Sequence, residues 1–403
     1  MMSEMPVRDE ASWTYPGWRV VAVCFVLAIF AWGFGFYGQS VYVAKLAETR
    51  GWPIATVAGA ATTYYLASAI LVAFAGDAIG RFGARPVIGV GILFLAAGAV
   101  ATGQAATLPQ LYGAYLLLAC GWATTSIAAI TSAVGGWFGV RRGLAISFAL
   151  TGASTGGIVG APALLWASER LGFAEALMGG AALMVLVLGP LLIFAWPAEP
   201  RSRNSAAEAR SLGRSGRSLA LRSHRFWTMT LAFAAGLFVQ VGFVVHQVAL
   251  TAPIAGAEGA GLAVGLTAIA AFVGRLAVGT FVDRVDARVV TAASLASQVV
   301  GLVIVASASG FPQILAGSIL FGLSVGNLIT LPSLIVHREF EPAAFAAIVS
   351  LSTAIGQFTY AFGPGAIGWL RDLTGGYATP LLIGAGIDLL AAGLVLAGRR
   401  RMG

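Results

Sequence analysis

One basic residue of this chain, Arg275, lies deep inside an apolar stretch, 261–280, that has no other charged side chain. A cation at the centre of a bilayer costs at least about 2.5–3.5 kcal/mol on insertion scales, so it usually faces a watery cavity. Its planar guanidinium can bind a carboxylate through two hydrogen bonds. Arg275 is therefore the leading candidate for binding a small anion, and a structural ion pair with Asp388 is the alternative.

Six further residues are candidates for gating or for carrying a proton. His246 lies toward the outer end of the seventh apolar stretch, and an unperturbed imidazole titrates at about pH 6.5. It could accept a proton, or it could be a neutral hydrogen-bonding residue of an outer gate, which we favour. The others are Asp388 and four residues of two short loops: Asp77, Arg81, Asp283 and Arg284.

Polar and aromatic residues in the middle of apolar stretches are candidates for the wall of a binding cavity. A lone tyrosine in such a stretch is more often an interfacial or packing residue, so we expect about half of them to line the path. The candidates are Tyr37, Gln39, Tyr64, Tyr65, Tyr115, Gln240, Asn327 and Gln357.

No residue pattern in the sequence indicates an enzyme. The chain has no Gly-Lys-Ser/Thr phosphate loop, no cluster of His or Cys, and no Gly-x-Ser-x-Gly elbow. Its two cysteines, Cys24 and Cys120, lie in apolar stretches and are typical of small buried hydrophobes. We therefore expect no catalytic residue, no metal site and no cofactor.

The composition indicates that lipid is the solvent for much of the chain. Of its 403 residues, 58% are hydrophobic and 10% charged, against about 25% charged in soluble domains. Apolar runs of about 20 residues predict transmembrane helices. Twelve such runs occur, at 18–44, 55–77, 84–104, 109–134, 142–166, 173–196, 226–250, 260–282, 289–308, 312–336, 343–369 and 377–398.

The basic residues predict how these helices are oriented. With the N-terminus in the cytoplasm, nineteen Lys and Arg residues fall in inside segments and four in outside segments. Positive charge accumulates on the cytoplasmic side of membrane proteins. We therefore expect a multi-pass protein of the inner membrane with both termini cytoplasmic. The positive charge is expected to face the anionic lipid of the cytoplasmic surface, so we expect no nucleic-acid partner.

Two halves of the chain are similar at a constant offset of 203 residues. Ala84-Arg85 recurs as Ala287-Arg288, and Gly160 recurs as Gly363. The sequence therefore predicts an all-α membrane protein with 12 transmembrane helices in two six-helix pseudo-repeats. The predicted parts are an N-terminal half at 1–197, an arginine-rich cytoplasmic linker at 198–225 and a C-terminal half at 226–403. Carriers built from such repeats bind substrate between the halves, near the midplane.

The loop after the second predicted helix resembles a signature of the major facilitator superfamily, Gly-x3-Asp-Arg-x-Gly-x-Arg. Gly76, Arg81, Gly83 and Arg85 match it, but Gly80 stands at the aspartate position. The equivalent loop of the second half keeps the pattern better, with Gly279, Asp283, Arg284 and Arg288. The resemblance covers nearly the whole chain and implies the major facilitator fold.

Within that superfamily the chain looks most like the monocarboxylate porter and oxalate–formate exchanger branch. The segments that carry this are Tyr15-Pro16-Gly17-Trp18, Gly51-Trp52, the stretch 137–162, and Gly274-Arg275 after His246. Members of this branch are similar in placing a substrate-binding arginine at the position of Arg275. Similarity to oxalate exchangers would imply that two cations recognise the substrate. The stretch 343–370 contains no Lys or Arg, which suits a substrate with one carboxylate.

This resemblance implies a secondary active transporter that moves a small monocarboxylate by alternating access, coupled to a proton. We expect a monomer whose other partners are membrane lipid and H+. Animal proton-linked relatives have an acid one turn before the arginine, where this chain has Ala271, so the proton-carrying residue stays open. The alternatives are an organic-anion exchanger and a multidrug or metabolite exporter of the same fold.

Overall fold

The structure, a computed structural model, describes residues 10–12, 14–197, 220–341 and 344–399. The larger part of the predicted linker, 198–219, lies outside the described residues, and so do the side chains of Asp283 and Ala346. The described chain is almost entirely helical, as expected where every backbone polar group in lipid must find a partner within its own segment.

Ten helices are long and apolar enough to cross a membrane, counted over the described residues. Six lie in the first half, and we label them α1 to α6: Gly17–Arg50, Ile54–Phe82, Ala84–Gln104, Leu108–Gly135, Arg142–Leu171 and Phe173–Ala195. In the second half, His224–Phe281 contains α7 (224–255) and α8 (257–281), followed by α9 Ala287–Ala306, α10 Phe311–Glu339 and α12 Ala378–Ala397.

The 58-residue segment His224–Phe281 crosses twice, because it folds back at Gly256, whose backbone is left-handed with φ 68°. A straight helix would hold Gln247 and Thr267 about 30 Å apart. Instead, Gln247 Nε2 donates a hydrogen bond to Thr267 Oγ1 at 2.7 Å. The eleventh predicted stretch, α11, consists of two short helices, Phe345–Tyr360 and Gly363–Thr374. The all-α membrane fold is confirmed, whereas the count of twelve crossings stays a prediction.

Close glycine contacts join the first and fifth helices of each half. In the first half, a Cβ built on Gly160 would lie 2.9 Å from Gly33 Cα. In the second half, a Cβ on Gly363 would lie 2.2 Å from the carbonyl oxygen of Phe238 and 3.1 Å from Gly242 N. Small residues allow such close helix approach in membranes. The equivalence of Gly160 and Gly363 in the sequence thus corresponds to an equivalent packing site.

Two α-helices of the first half contain π-helical turns at this contact. α1 is π-helical over Gly33–Tyr37, and α5 is π-helical over Gly156–Gly160. The carbonyl of Gly33 stands 2.5 Å from the position that a Cβ on Gly38 would occupy, so the turn is tightly packed. Single π turns inside α-helices are frequent at functional sites.

Helix ends at 17, 195, 224 and 397 share one end of the bundle, which we call the linker end; the opposite end is the distal end. At the linker end of the second half, Arg288 is 1% exposed and forms an ion pair with Glu339, Nε to Oε1 at 2.7 Å and Nη2 to Oε2 at 2.9 Å. The same guanidinium donates to Thr228 Oγ1 and to the carbonyls of Val395 and Arg225. Four helices therefore meet at one buried cation.

The first half is braced differently at the linker end. The Glu10 carboxylate accepts hydrogen bonds from the backbone N–H groups of Gly139 and Arg141, at 2.7 and 2.8 Å. These donors, that of Arg141 above all, lower the pKa of Glu10 below its usual value. The Tyr15 hydroxyl donates to the carbonyl of Trp137. The two motifs that carried the branch resemblance, 15–18 and 137–143, are therefore in direct contact.

Candidate functional site

Arg275 lies on α8 between the two halves. Its guanidinium has no hydrogen-bond partner among the described residues, and its Nε is buried. On one side, the Nε is 2.8 Å from where a Cβ on Gly326 of α10 would lie, so only glycine leaves room for it. On the other side, Tyr37 of α1 is near enough for an electrostatic interaction with it. Arg275 thus meets the first half at a half-buried position, where its guanidinium could bind an anion.

A glycine of α5 allows Tyr37 to approach α8. A Cβ on Gly157 would lie 2.5 Å from the Tyr37 ring and 2.7 Å from Ala268 Cβ. Ala268 is seven residues before Arg275, which is two helical turns on the same face. The three helices α1, α5 and α8 therefore meet at the candidate anion site.

The predicted wall residues fall into three groups. At the boundary between the halves lie Tyr37 and Tyr65, the latter packed on Tyr360 of α11 with ring centroids 5.6 Å apart. Gln357, one turn before Tyr360 on the same helix, is half-buried. These residues surround the same boundary as Arg275.

A second group is buried inside the first half. Tyr64 donates to the carbonyl of Gly35 at 2.8 Å, and its ring contacts those of Tyr65 and Tyr115. The hydroxyls of Tyr65 and Tyr115 and both amide atoms of Gln39 are buried without a hydrogen-bond partner. Buried polar groups normally have partners, so these donors and acceptors are available to a ligand or to water.

A third group is buried inside the second half. Gln240 accepts from Gln298 Nε2 at 3.1 Å, and Asn327 Nδ2 donates to Ser294 Oγ at 3.3 Å. Asp388 lies with this group, and its two carboxylate oxygens have no hydrogen-bond partner. The alternative of a structural ion pair between Asp388 and Arg275 is therefore absent from the described structure. Asp388 is 0% exposed, so α12 directs this acid into the core of its half.

Two hydrogen bonds join the halves at the distal end. Asp372 Oδ2 of α11 accepts from the backbone N–H of Ala55 at 2.9 Å, in the first turn of α2. The backbone N–H of Gly365 donates to Thr62 Oγ1 at 3.0 Å. A carboxylate at a helix N-terminus is favourable because the free N–H groups there carry partial positive charge. Neither Asp372 nor Thr62 was predicted, since nothing in the sequence pairs positions so far apart.

His246 is buried beside these contacts. Its Nε2 donates to the carbonyl of Pro364 at 2.9 Å, since a carbonyl can only accept. Its Nδ1 then accepts from the Tyr377 hydroxyl at 3.0 Å in the neutral form. A Cβ on Gly368 of α11 would lie 3.3 Å from the imidazole and 2.9 Å from Ala58 of α2. This position suits the gate interpretation of His246.

A crevice of about 450 Å³ opens between the halves at the distal end. Its charged lining comes from both halves: Lys45, Glu48 and Glu169 from the first, and Arg371 from the second. Lys45 is ion-paired with Glu169 and with Glu48, the latter at 2.8 Å. Lys45 is thus already neutralised, in contrast to Arg275.

The predicted loop candidates lie at the linker end. Arg81 is exposed and stacks over the ring of Phe82 at 5.2 Å. Asp77 and Arg284 are exposed as well. Asp283 lies in a single turn of 3-10 helix, Val282–Arg284. The four residues share one end of the bundle, as expected from the repeat, but they are distant in sequence and space from the distal contacts.

These observations agree with known proteins at two levels. The sequence model of the Major Facilitator Superfamily matches residues 22–256, and the chain belongs to that superfamily of membrane transporters. It is a transporter and not an enzyme. A solved structure of a mutant of the nucleoside transporter NupG matches with a TM-score of 0.80 and 14% identity, covering 96% of this chain and 100% of that one.

Within the superfamily the chain belongs to the monocarboxylate-transporter-like branch. It is 31% identical to human (Homo sapiens) Monocarboxylate transporter 11 over 81% of this chain and 72% of that protein. It is 26% identical to bovine (Bos taurus) Monocarboxylate transporter 13 over 78% and 74% of the two chains. A bacterial homologue of the lysosomal transporter Spinster, solved in an inward-facing and unoccupied conformation, matches with a TM-score of 0.66, 14% identity, and coverage of 96% and 98%.

Proposed function

We propose that this protein moves a small monocarboxylate across the membrane together with a proton, by alternating access. The observation that carries the proposal is Arg275, a half-buried cation between the halves whose buried Nε has no hydrogen-bond partner in the described structure. An unpaired charge in a low-dielectric site is costly, and a bound carboxylate would neutralise it. The anion therefore stabilises the state in which both halves close around the site.

The distal contacts support alternating access. Opening the distal end must break the bonds of Asp372 to Ala55 and of Thr62 to Gly365 and separate Gly368 from Ala58. The linker end carries most of the basic residues, so we place it in the cytoplasm of a cell whose inner membrane holds the protein. The conformation described is then the one closed toward the outside.

The test is uptake of labelled lactate, pyruvate and acetate into proteoliposomes. Charge-assisted hydrogen bonds contribute about 1.5–3 kcal/mol each, so Arg275→Ala should weaken apparent affinity by roughly tenfold to hundredfold or abolish uptake. Arg19→Ala is the matched control, because that arginine is exposed in the first turn of α1 and was assigned no role in binding or gating. It should transport as the wild type does.

Uptake by Arg275→Ala equal to that of the wild type would refute the assignment. Counterflow of labelled lactate without any effect of a pH gradient would instead show an anion exchanger. A wild type that transports none of the three acids would refute the monocarboxylate assignment.

A further inference from the structure

Asp388 is a buried acid whose environment the proposed function does not explain. The carboxylate is 0% exposed, and both oxygens lack a hydrogen-bond partner. Its Oδ1 and the side chains of Leu295 and Leu328 all lie within 4 Å of the position that a Cβ on Gly236 of α7 would occupy. Burying an ionised carboxylate among apolar groups without a partner is very costly, whereas the neutral acid is tolerated. The site therefore favours a bound proton.

Helix register places Asp388 well inside the membrane. Arg288 Nη1 donates to the carbonyl of Val395, which fixes α9 against the antiparallel α12. Asp388 is seven residues before Val395, and Leu295 is seven residues after Arg288. Both lie about 10 Å from that contact, at the same depth.

The layer at this depth continues to the anion site. Ser294, next to Leu295, accepts from Asn327 of α10. Gly326, next to Asn327, contacts the Arg275 guanidinium. One layer of the second half thus contains a buried acid at one side and the free cation at the other, with Ser294 and Asn327 between them.

The unpaired polar atoms of this layer are almost all hydrogen-bond acceptors. Besides the two oxygens of Asp388, Gln298 Oε1 and Asn327 Oδ1 are buried without a partner. A protonated carboxyl has an O–H to donate, whereas a carboxylate can only accept. A neutral Asp388 therefore adds a donor to a layer whose unpaired atoms are mostly acceptors, and a carboxylate does not.

Charged groups on the packed helices are all remote or already paired. At the linker end, Arg288 is bound to Glu339 and Arg399 to Asp286. At the distal end, Arg371 of α11 is paired with Asp372. On α8, Arg275 lies across the layer without contact. Among the described residues, none of these cations forms an ion pair with Asp388.

We propose that Asp388 is the proton-binding site of this carrier, coupled to anion binding at Arg275 through the shared polar layer. The proposal rests on the proposed function. A proton from water on one side forms the O–H bond of Asp388, and that bond breaks to water on the other side. With the anion on Arg275 and the proton on Asp388, the loaded layer bears no net charge, which permits occlusion in a dry site.

The first experiment detects the proton without any substrate. Infrared spectra of the protein in lipid at neutral pH should show the C=O stretch of a protonated carboxyl group. This band should be lost in Asp388→Asn and kept in Glu175→Gln, whose acid is exposed at the start of α6. Identical spectra for the wild type and Asp388→Asn would overturn the proposal. Asp388→Ser serves as a second variant without a carboxyl if the Asn variant is not recovered.

The second experiment tests coupling. Accumulation of labelled lactate driven by a pH gradient should be lost in Asp388→Asn and kept in Glu175→Gln. Unchanged pH-driven accumulation in Asp388→Asn would overturn the coupling role. A wild type that moves no lactate would refute the proposed substrate while the infrared result still stands, so the two failures are distinguishable.

Discussion

At the linker end, the two halves of this transporter have an arginine at equivalent positions but in different environments. In the second half, Arg288 is buried and bound by Glu339. Its equivalent at the 203-residue offset, Arg85, is exposed, and its Nη2 donates to the carbonyl of Ile193 at 3.2 Å. The position equivalent to Glu339 is Gly136, which has no carboxylate to offer. The buried pair of Arg288 and Glu339 therefore has no counterpart at the equivalent positions of the first half.

In the first half, an acidic residue from outside the repeat braces the linker end. Glu10, before α1, binds the backbone of the loop between α4 and α5. That loop is the equivalent of the segment after Glu339, because both lead into the fifth helix of their half. Duplicated halves can thus retain the same shape while the element that closes them comes from a different part of the chain.

Breaking the buried ion pair between Arg288 and Glu339 should have the largest effect on stability. Glu339→Gln leaves the Arg288 charge buried without a counterion, and losing one partner of such a pair costs about 3–5 kcal/mol. The thermal unfolding midpoint of the purified protein should fall steeply. In contrast, Arg85→Gln removes an exposed group and should change stability by about 1 kcal/mol or less. Equal effects of the two substitutions would contradict the difference between the halves.

A smaller effect should follow from the glycine contacts. Gly363→Ala places a methyl group 2.2 Å from a backbone carbonyl, and Gly160→Ala places one 2.9 Å from a Cα. Overpacking of this kind costs about 1–3 kcal/mol, and Gly363→Ala should be the more destabilising. Gly386→Ala, with no atom within 4 Å of the added methyl group, is the control. The measurement is again thermal unfolding, and the reverse order would show that the first half packs more tightly.

The smallest effect concerns the Glu10 brace and depends on pH. The folded state lowers the pKa of Glu10 from 4.5. The stabilisation that ionised Glu10 gives to the fold is therefore complete above pH 4.5 and is lost as the pH falls through the lower folded pKa. Acidification should therefore release the loop at 139–141. Hydrogen exchange of this peptide should be faster in Glu10→Gln than in the wild type at pH 7. The difference should vanish in acid, and a difference that persists there would contradict an ionic brace.

Much of the fold could be predicted from the sequence, because a lipid environment requires apolar helices. Apolar runs located the helices within a few residues, and a constant offset showed the repeat. Two features were not predicted. The separate stretches 226–250 and 260–282 form one segment with a single break at Gly256, and α11 is interrupted between Tyr360 and Gly363. Both depend on local backbone conformation, to which hydropathy is insensitive.

The candidate site was accessible in part. A charge in an apolar stretch identified Arg275, and the repeat placed it between the halves. The hydrogen-bond partners of polar residues could not be predicted from the sequence, because they depend on which helix faces pack together. Thus Asp388 lies in the core of its half, and Asp372 binds a helix terminus more than three hundred residues away in sequence.

The π-helical turn at Gly33–Tyr37 has a consequence for how this chain tolerates insertions and deletions. A π turn accommodates one residue more than an α turn. Deleting one residue there would restore regular winding, and the segments before and after it would keep their faces, because the wider turn absorbs the extra residue. Deleting a residue from a regular turn of the same helix would instead rotate everything that follows by about 100°. The first helix should therefore tolerate the loss of one residue at 33–37 better than elsewhere along the crossing.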